Sequence, residues 1–161
     1  MTILLEEEIG GLLKNRGLKL AVAESCTGGL IGHRITNIPG SSDYYLGSVT
    51  AYAYEAKEKL LGVNHATLEK YGAVSEETVL EMARGIRQAL AADIGVSVSG
   101  IAGPGGGLPL KPVGTVWFGF STPTGDWAFR FLFNGDRIQI KELSAEKALM
   151  LLRHYLTDGQ L

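Results

Sequence analysis

Hydrophobic residues recur along the chain with two different spacings, and the exchange between them predicts helices interleaved with strands. The helical spacing occurs in six segments: 4–17, 30–38, 55–62, 66–72, 75–90 and the segment that follows Asp136. Apolar or alternating runs typical of strands occupy 18–25, 45–54, 94–100 and 114–133, the last folded about the turn sequence TPTGD. Because helices and strands alternate and one pair forms a hairpin, we predict an α/β fold. Its expected form is a three-layer sandwich, a mixed sheet flanked by helices.

The helix at 75–90 has the most complete pattern. Ser75 is a good N-cap, and Glu76 and Glu77 suit the positive end of the helix dipole. Its apolar stripe consists of Val79, Met82, Ile86 and Leu90. No repeat, linker or low-complexity tract interrupts the chain, so a single domain over 1–161 is expected.

Composition narrows the classes of function. The 161 residues are 45% hydrophobic and 20% charged, as in globular proteins, and the net charge is −2. This balance removes the attraction that nucleic-acid binders rely on. Cys26 is the only cysteine, which excludes an intramolecular disulfide and suits a reducing compartment. The glutamates near the N-terminus do not fit a signal peptide, and no apolar run approaches the roughly 18 residues of a membrane span. We expect a cytoplasmic protein that binds neither nucleic acid nor membrane.

Three glycine-rich loops lie where strands end or helices begin: ESCTGG, SGIAGPGGG and NGDR. Glycine lets backbone N–H groups approach a ligand, and a helix N-terminus favours an anion. None of the loops matches the P-loop or the dinucleotide-binding fingerprint. Each loop alone is better explained by a tight turn, but the three together, with Thr27 and Arg137, predict a phosphate-bearing small molecule. Glu24, beside the first loop, is expected to be a cap or a surface residue.

Metal and cysteine chemistry are poorly supported by the sequence. His33, His65 and His154 are far apart and follow no metal-binding spacing, so no metal site is predicted. Cys26 begins a predicted helix, where a thiolate is favoured, but it has no candidate histidine partner in the sequence.

The segment SSDYYLGSVTAYAYEAK at 41–57 contains Ser42, Tyr52 and Lys57. In water at pH 7 none of these side chains is reactive, but a lysine in a partly dry pocket can lose its proton and act as a base toward serine. Spacing alone does not bring them together: a turn residue, a sheet residue and a solvated lysine fit the same pattern. Short-chain dehydrogenases share the order Ser, Tyr, Lys, but Ala53 stands where their tyrosine is required.

Taken together, AESCTGG, PGSS, TAYAYEAK, YGAVSEE, SGIAGPGGG, KPVGTVW and GDR resemble the CinA C-terminal domain family, over nearly the whole chain. The resemblance implies nicotinamide mononucleotide (NMN) amidohydrolase activity, giving nicotinic acid mononucleotide and ammonia without a cofactor. Many members have an additional N-terminal domain, whereas this sequence begins at the deamidase unit, so we expect the stand-alone form. The resemblance also implies a homo-oligomer, with a dimer favoured.

The resemblance also implies roles for individual residues. Ser42 is the expected nucleophile, activated by Lys57 directly or through the Tyr52 hydroxyl. A glycine loop is expected to supply the oxyanion hole. The expected substrate-binding residues are Ser25, Thr27, Gly28, Gly29, Ala102, Gly103 and Arg137.

One stretch departs from the family pattern. Members commonly have Tyr-Ser-Asn where this chain has Tyr52, Ala53 and Tyr54. Two alternatives therefore stay open: a nucleotide-binding protein of the same fold with little activity that acts through a partner, and an amidohydrolase for a related pyridine or nucleotide amide.

Overall fold

The computed structural model describes residues 2–161 and contains, within them, six α-helices and five strands. The helices are α1 (Leu5–Arg16), α2 (Leu30–Thr36), α3 (Tyr54–Leu61), α4 (His65–Tyr71), α5 (Glu76–Ala89) and α6 (Arg137–Asp158). The strands are β1 (Leu20–Glu24), β2 (Tyr45–Thr50), β3 (Ile94–Gly100), β4 (Thr115–Thr122) and β5 (Gly125–Leu132).

The strands form one mixed sheet in the order β2-β1-β3-β4-β5. β1 pairs in parallel with β2 and β3, whereas β4 is antiparallel to both β3 and β5. Glu24, the last residue of β1, pairs with Thr50 of β2 and Val98 of β3. The residues that follow these three strands therefore meet at one edge of the sheet, where ligands bind in open α/β sheets.

Helices cover both faces of the sheet, which confirms the predicted three-layer α/β fold. α1, α2 and α6 enclose the larger core with the big side chains of the sheet. On the other face α5 lies close, because the sheet presents small residues there. A Cβ on Gly95 or Gly119 would lie 2.2 Å from a carbonyl oxygen of α5. The smallness of these residues sets the distance between α5 and the sheet.

The predicted strand at 45–54 is too long. β2 ends at Thr50, and Tyr54 already begins α3. The last backbone bond to β1 is the one that the N–H of Ala51 donates to the carbonyl of Glu24. Beyond it the chain turns away from the sheet, so tertiary contacts override the β propensity of the two tyrosines.

Gly85 gives a direct test of the packing between α5 and α3. A Cβ there would lie 1.8 Å from the carbonyl oxygen of Leu61, so we expect Gly85→Ala to lower the free energy of unfolding by about 3 kcal/mol or more. Gly11, exposed in α1, has no atom within 4 Å of its added Cβ. Gly11→Ala is the matched control and is expected to stabilise by about 0.5 to 1 kcal/mol. Urea unfolding measures both, and equal effects of the two substitutions would contradict the packing described.

Candidate active site

A cavity of about 270 Å³ opens at the sheet edge where β1, β2 and β3 end. Segments from all parts of the chain line it: Ser25, Cys26, Tyr52, Lys57, Ala73, Val74, Ser99–Gly103, Gly105, Gly106 and Arg137. Of the ten residues predicted from the sequence, six lie here: Ser25, Tyr52, Lys57, Ala102, Gly103 and Arg137.

Lys57 is the central charged group of this cavity. It lies in α3, is only 1% exposed, and its Nζ donates to Ser25 Oγ at 2.9 Å. Two main-chain carbonyls also accept from Nζ, those of Ala51 at 2.7 Å and Tyr52 at 3.1 Å. Within the described residues no carboxylate pairs with it. Burial lowers the pKa of Lys57 from 10.5 to about 8. The solvated position considered from the sequence does not apply.

Ser42 does not lie in this cavity. It is exposed in a 3₁₀ turn, Ser41–Asp43, that precedes β2, whereas Lys57 follows β2. The strand between them is six residues long, roughly 20 Å. Beside Ser42, Asp43 forms an ion pair with Lys14 at 2.8 Å. The expected contact of Ser42 with Lys57 is therefore wrong. The serine hydroxyl that contacts Lys57 Nζ is that of Ser25.

Tyr52 and Arg137 meet at the mouth of the cavity. Arg137, the first residue of α6, donates to the Tyr52 hydroxyl at 2.9 Å and to the carbonyl of Gly103 at 2.7 Å. Tyr52 is 60% exposed and reaches Lys57 only through its main-chain carbonyl. The predicted relay through the Tyr52 hydroxyl therefore does not match the structure.

Thr27, Gly28 and Gly29 line a second cavity, of about 370 Å³, together with Lys141. The hydroxyl of Thr27 is not free for a ligand, because it donates to Oε1 of the buried Glu24 at 2.6 Å. The expected phosphate contacts of this loop are thus not found in the cavity of Lys57. Glu24 has the predicted capping role and not a surface position.

The loop after β3 retains unused donors. Ile101 is fixed by two backbone bonds, to Thr115 and Gly114. Among the described residues, no protein group accepts a hydrogen bond from the N–H groups of Ala102, Gly103, Gly105 and Gly106. Gly103 has a φ of 79°, and an added Cβ would lie 2.5 Å from a methyl carbon of Val113, so only glycine fits there. This loop can offer N–H groups to an oxyanion or a phosphate.

Sequence reasoning missed Ser99 and gave Ser25 a binding role only. Ser25 directly follows Glu24 and Ser99 directly follows Val98, the last residue pair of β1 and β3, and the N–H of Ser25 donates to the carbonyl of Val98. The signal in the sequence was their position: Ser25 directly follows the buried strand β1, and Ser99 lies at the end of the buried strand β3. Cys26 lies beside them, but burial raises the pKa of its thiol to about 12. The thiolate considered from the sequence is therefore strongly disfavoured.

Comparisons with known proteins agree on the family. The model of the CinA C-terminal domain matches residues 3–156. A CinA-like protein of Desulfotalea psychrophila is 54% identical over 148 residues, which are 92% of this chain and 36% of that protein. A CinA-like protein of Salinibacter ruber is 52% identical over 155 residues, 96% of this chain and 38% of that protein. The chain thus spans a little over a third of the length of these curated relatives.

Solved structures show the same fold. The crystal structure of competence damage-inducible protein A from Klebsiella pneumoniae superimposes with a TM-score of 0.93 at 36% identity, over 97% of both chains. The competence/damage inducible protein CihA from Agrobacterium tumefaciens gives 0.89 at 36% identity, over 98% of this chain and 100% of that one. In the part of the chain described here, no helix is long and apolar enough to cross a membrane.

Proposed function

This chain belongs to the CinA C-terminal domain family, and from this membership and the contact of Lys57 with Ser25 we propose that it is an NMN amidohydrolase. The reaction replaces the carboxamide nitrogen of the nicotinamide ring by oxygen from water. The observation that carries the proposal is a buried lysine of lowered pKa whose Nζ lies 2.9 Å from a serine hydroxyl inside a cavity. A pairing of this kind activates a nucleophile for acyl transfer.

The hydrogen bonds of Lys57 explain how it acts as a base. Carbonyl oxygens only accept, so in neutral Lys57 the carbonyls of Ala51 and Tyr52 take its two N–H groups. The lone pair of Nζ is then left for the third partner, the hydroxyl of Ser25. The main chain thus orients the base toward the nucleophile.

The chemical steps follow from this geometry. Neutral Lys57 takes the proton of Ser25 while Oγ attacks the carboxamide carbon, and the carbonyl oxygen becomes an oxyanion. Protonated Lys57 returns a proton to the amide nitrogen, the C–N bond breaks, and ammonia leaves an ester on Ser25. Water, losing a proton to Lys57, attacks the ester carbon. Protonated Lys57 then returns that proton to Oγ as the ester C–O bond breaks, which releases the carboxylic acid and restores the Ser25 hydroxyl and neutral Lys57. The enzyme ends in its starting state.

The remaining groups of the cavity bind the rest of the substrate. The unpaired N–H groups of the loop at 102–106 are the candidate oxyanion donors. Arg137 at the mouth is the candidate phosphate ligand, since its guanidinium offers planar paired donors. The positive pyridinium ring favours neutral Lys57, so the substrate itself promotes the basic form.

The test is to incubate the purified chain with NMN and to measure ammonia and nicotinic acid mononucleotide. We expect both products in equal amounts, and slower turnover of nicotinamide, which has no phosphate. NMN binding without ammonia would favour the nucleotide-binding alternative. Equal turnover of nicotinamide would favour the related amide and leave Arg137 without a role.

The pH profile of the same assay reports on Lys57. We expect kcat/KM to rise with pH around a midpoint near 8, because the base must be neutral and burial lowers the Lys57 pKa to about 8. The midpoint of kcat is expected to be lower, since bound pyridinium disfavours the ammonium. A profile that is flat from pH 6 to pH 10 would contradict a lysine base.

A further inference from the structure

We infer that Glu24 is a positioning residue for the Ser25–Lys57 pair, an inference that rests on the proposed function. Glu24 does not line the cavity and touches neither Ser25 Oγ nor Lys57 Nζ. It acts through the chain on both sides of the nucleophile.

The side chain of Glu24 is held by three donors. It is fully buried, and Oε1 accepts from the Thr27 hydroxyl at 2.6 Å and from the N–H of Ile31 at 2.9 Å. Oε2 accepts from the N–H of Gly32 at 3.0 Å. Among the described residues no cation pairs with it. Its charge is therefore balanced by the N-terminus of α2. The Glu24 side chain thereby joins the turn at 25–29 to that helix.

The main chain of Glu24 helps to position Lys57, the second residue of the Ser25–Lys57 pair. Its carbonyl accepts from the N–H of Ala51 at 2.9 Å, and the carbonyl of Ala51 accepts from Lys57 Nζ at 2.7 Å. Ser25, the next residue, donates its N–H to the carbonyl of Val98, and its own carbonyl accepts from the N–H of Gly28. One residue thus fixes the turn that presents Ser25 and the strand end that orients Lys57.

Glu24→Gln keeps the shape of the side chain but replaces one accepting oxygen by an NH₂ group that faces an N–H or O–H donor. The turn at 25–29 must shift, and a displacement near 1 Å at a reacting group lowers rates by about 10- to 100-fold. We expect kcat to fall by that factor while KM stays within about twofold, because Arg137 and the loop at 102–106 are untouched.

Glu81→Gln is the matched control. Glu81 also accepts from a threonine hydroxyl, that of Thr67 at 2.6 Å, and from a backbone N–H, that of Asn64 at 2.8 Å, but it is outside the cavity. Glu24 is fully buried and Glu81 only half-buried, but if loss of a carboxylate cap acted only through stability, both variants would lose activity in proportion to their lowered Tm. We expect Glu81→Gln to retain wild-type kcat.

A serine-directed fluorophosphonate probe tests the inference without the natural substrate. We expect it to label Ser25 in the wild type and 10- to 100-fold more slowly in Glu24→Gln, with the pH midpoint of labelling unchanged. An unchanged midpoint means that Lys57 is still buried and that only its alignment with Ser25 is lost, which general unfolding would not produce.

Labelling of Glu24→Gln at the wild-type rate overturns the role of Glu24 alone. If wild type labels but does not convert NMN, the proposed substrate fails while the role of Glu24 is still measured. A wild type that neither labels nor converts NMN overturns both.

Discussion

Ser25→Ala is expected to lower kcat for NMN hydrolysis by about 10⁴- to 10⁶-fold, the usual cost of losing a covalent nucleophile. Ser42→Ala is expected to leave kcat within about twofold of the wild type, because Ser42 lies at the far end of β2 from Lys57. Steady-state release of ammonia measures both effects.

A trapping experiment makes the comparison independent of rate alone. Brief reaction with substrate and acid quenching should give a covalent adduct on the peptide that contains Ser25, found by mass spectrometry. Circular dichroism and Tm of the two variants control for folding. Full activity in Ser25→Ala, with loss in Ser42→Ala, would reverse the assignment and would require a conformation that carries Ser42 across the sheet.

Lys57→Met is expected to lower kcat by about 10³- to 10⁴-fold and, at the same time, to stabilise the fold at neutral pH. Methionine fills a similar volume without a charge, and burying the ammonium of Lys57 costs free energy. The folded-state pKa of about 8 lies below the usual 10.5. The unfolded chain therefore binds more protons between these values, and the free energy of unfolding of the wild type should rise with pH over that window.

Urea unfolding at pH 7 and pH 10 checks this linkage. The difference between wild type and Lys57→Met should be largest at pH 7 and smaller at pH 10, where Lys57 is mostly neutral in the folded protein. Lys59→Met, on the outer side of the same helix, is the control. A Lys57→Met protein that is less stable at pH 7 would mean that the three hydrogen bonds of the ammonium outweigh its desolvation.

The layers of the fold were predictable because hydrophobic residues recur with one spacing in helices and with another in strands. The mixed sheet, the hairpin and the helix begun by Ser75 are confirmed, since burial on one or both faces selects apolar residues at those spacings. The end of β2 was not predictable from propensity. Tyr52 and Tyr54 suit a strand, but the carbonyls before α3 are used by Lys57 instead of a neighbouring strand.

The candidate site was predictable in part. Lys57 and Arg137 lie at the cavity, but Ser42, to which the resemblance assigned the role of nucleophile, lies outside it. Ser42 precedes a strand and Lys57 follows it. Parallel strands bring together the residues that follow them, and by that rule the partner of Lys57 is a residue after β1, which is Ser25.

The two carbonyls that hold Lys57 also determine which positions can drift during evolution. Ala51 is fully buried in the core, so packing constrains its side chain. Every residue type has a carbonyl, so exchange of the exposed side chain at 52 leaves the lone pair of the base where it is. The same holds for the replacements at 53 and 54: Ala53 makes no side-chain cap, and the Tyr54 hydroxyl accepts from the N–H of Ala73, in the cavity wall. Mutation in this segment can therefore reshape the wall that meets the substrate while the machinery that generates the nucleophile is inherited unchanged.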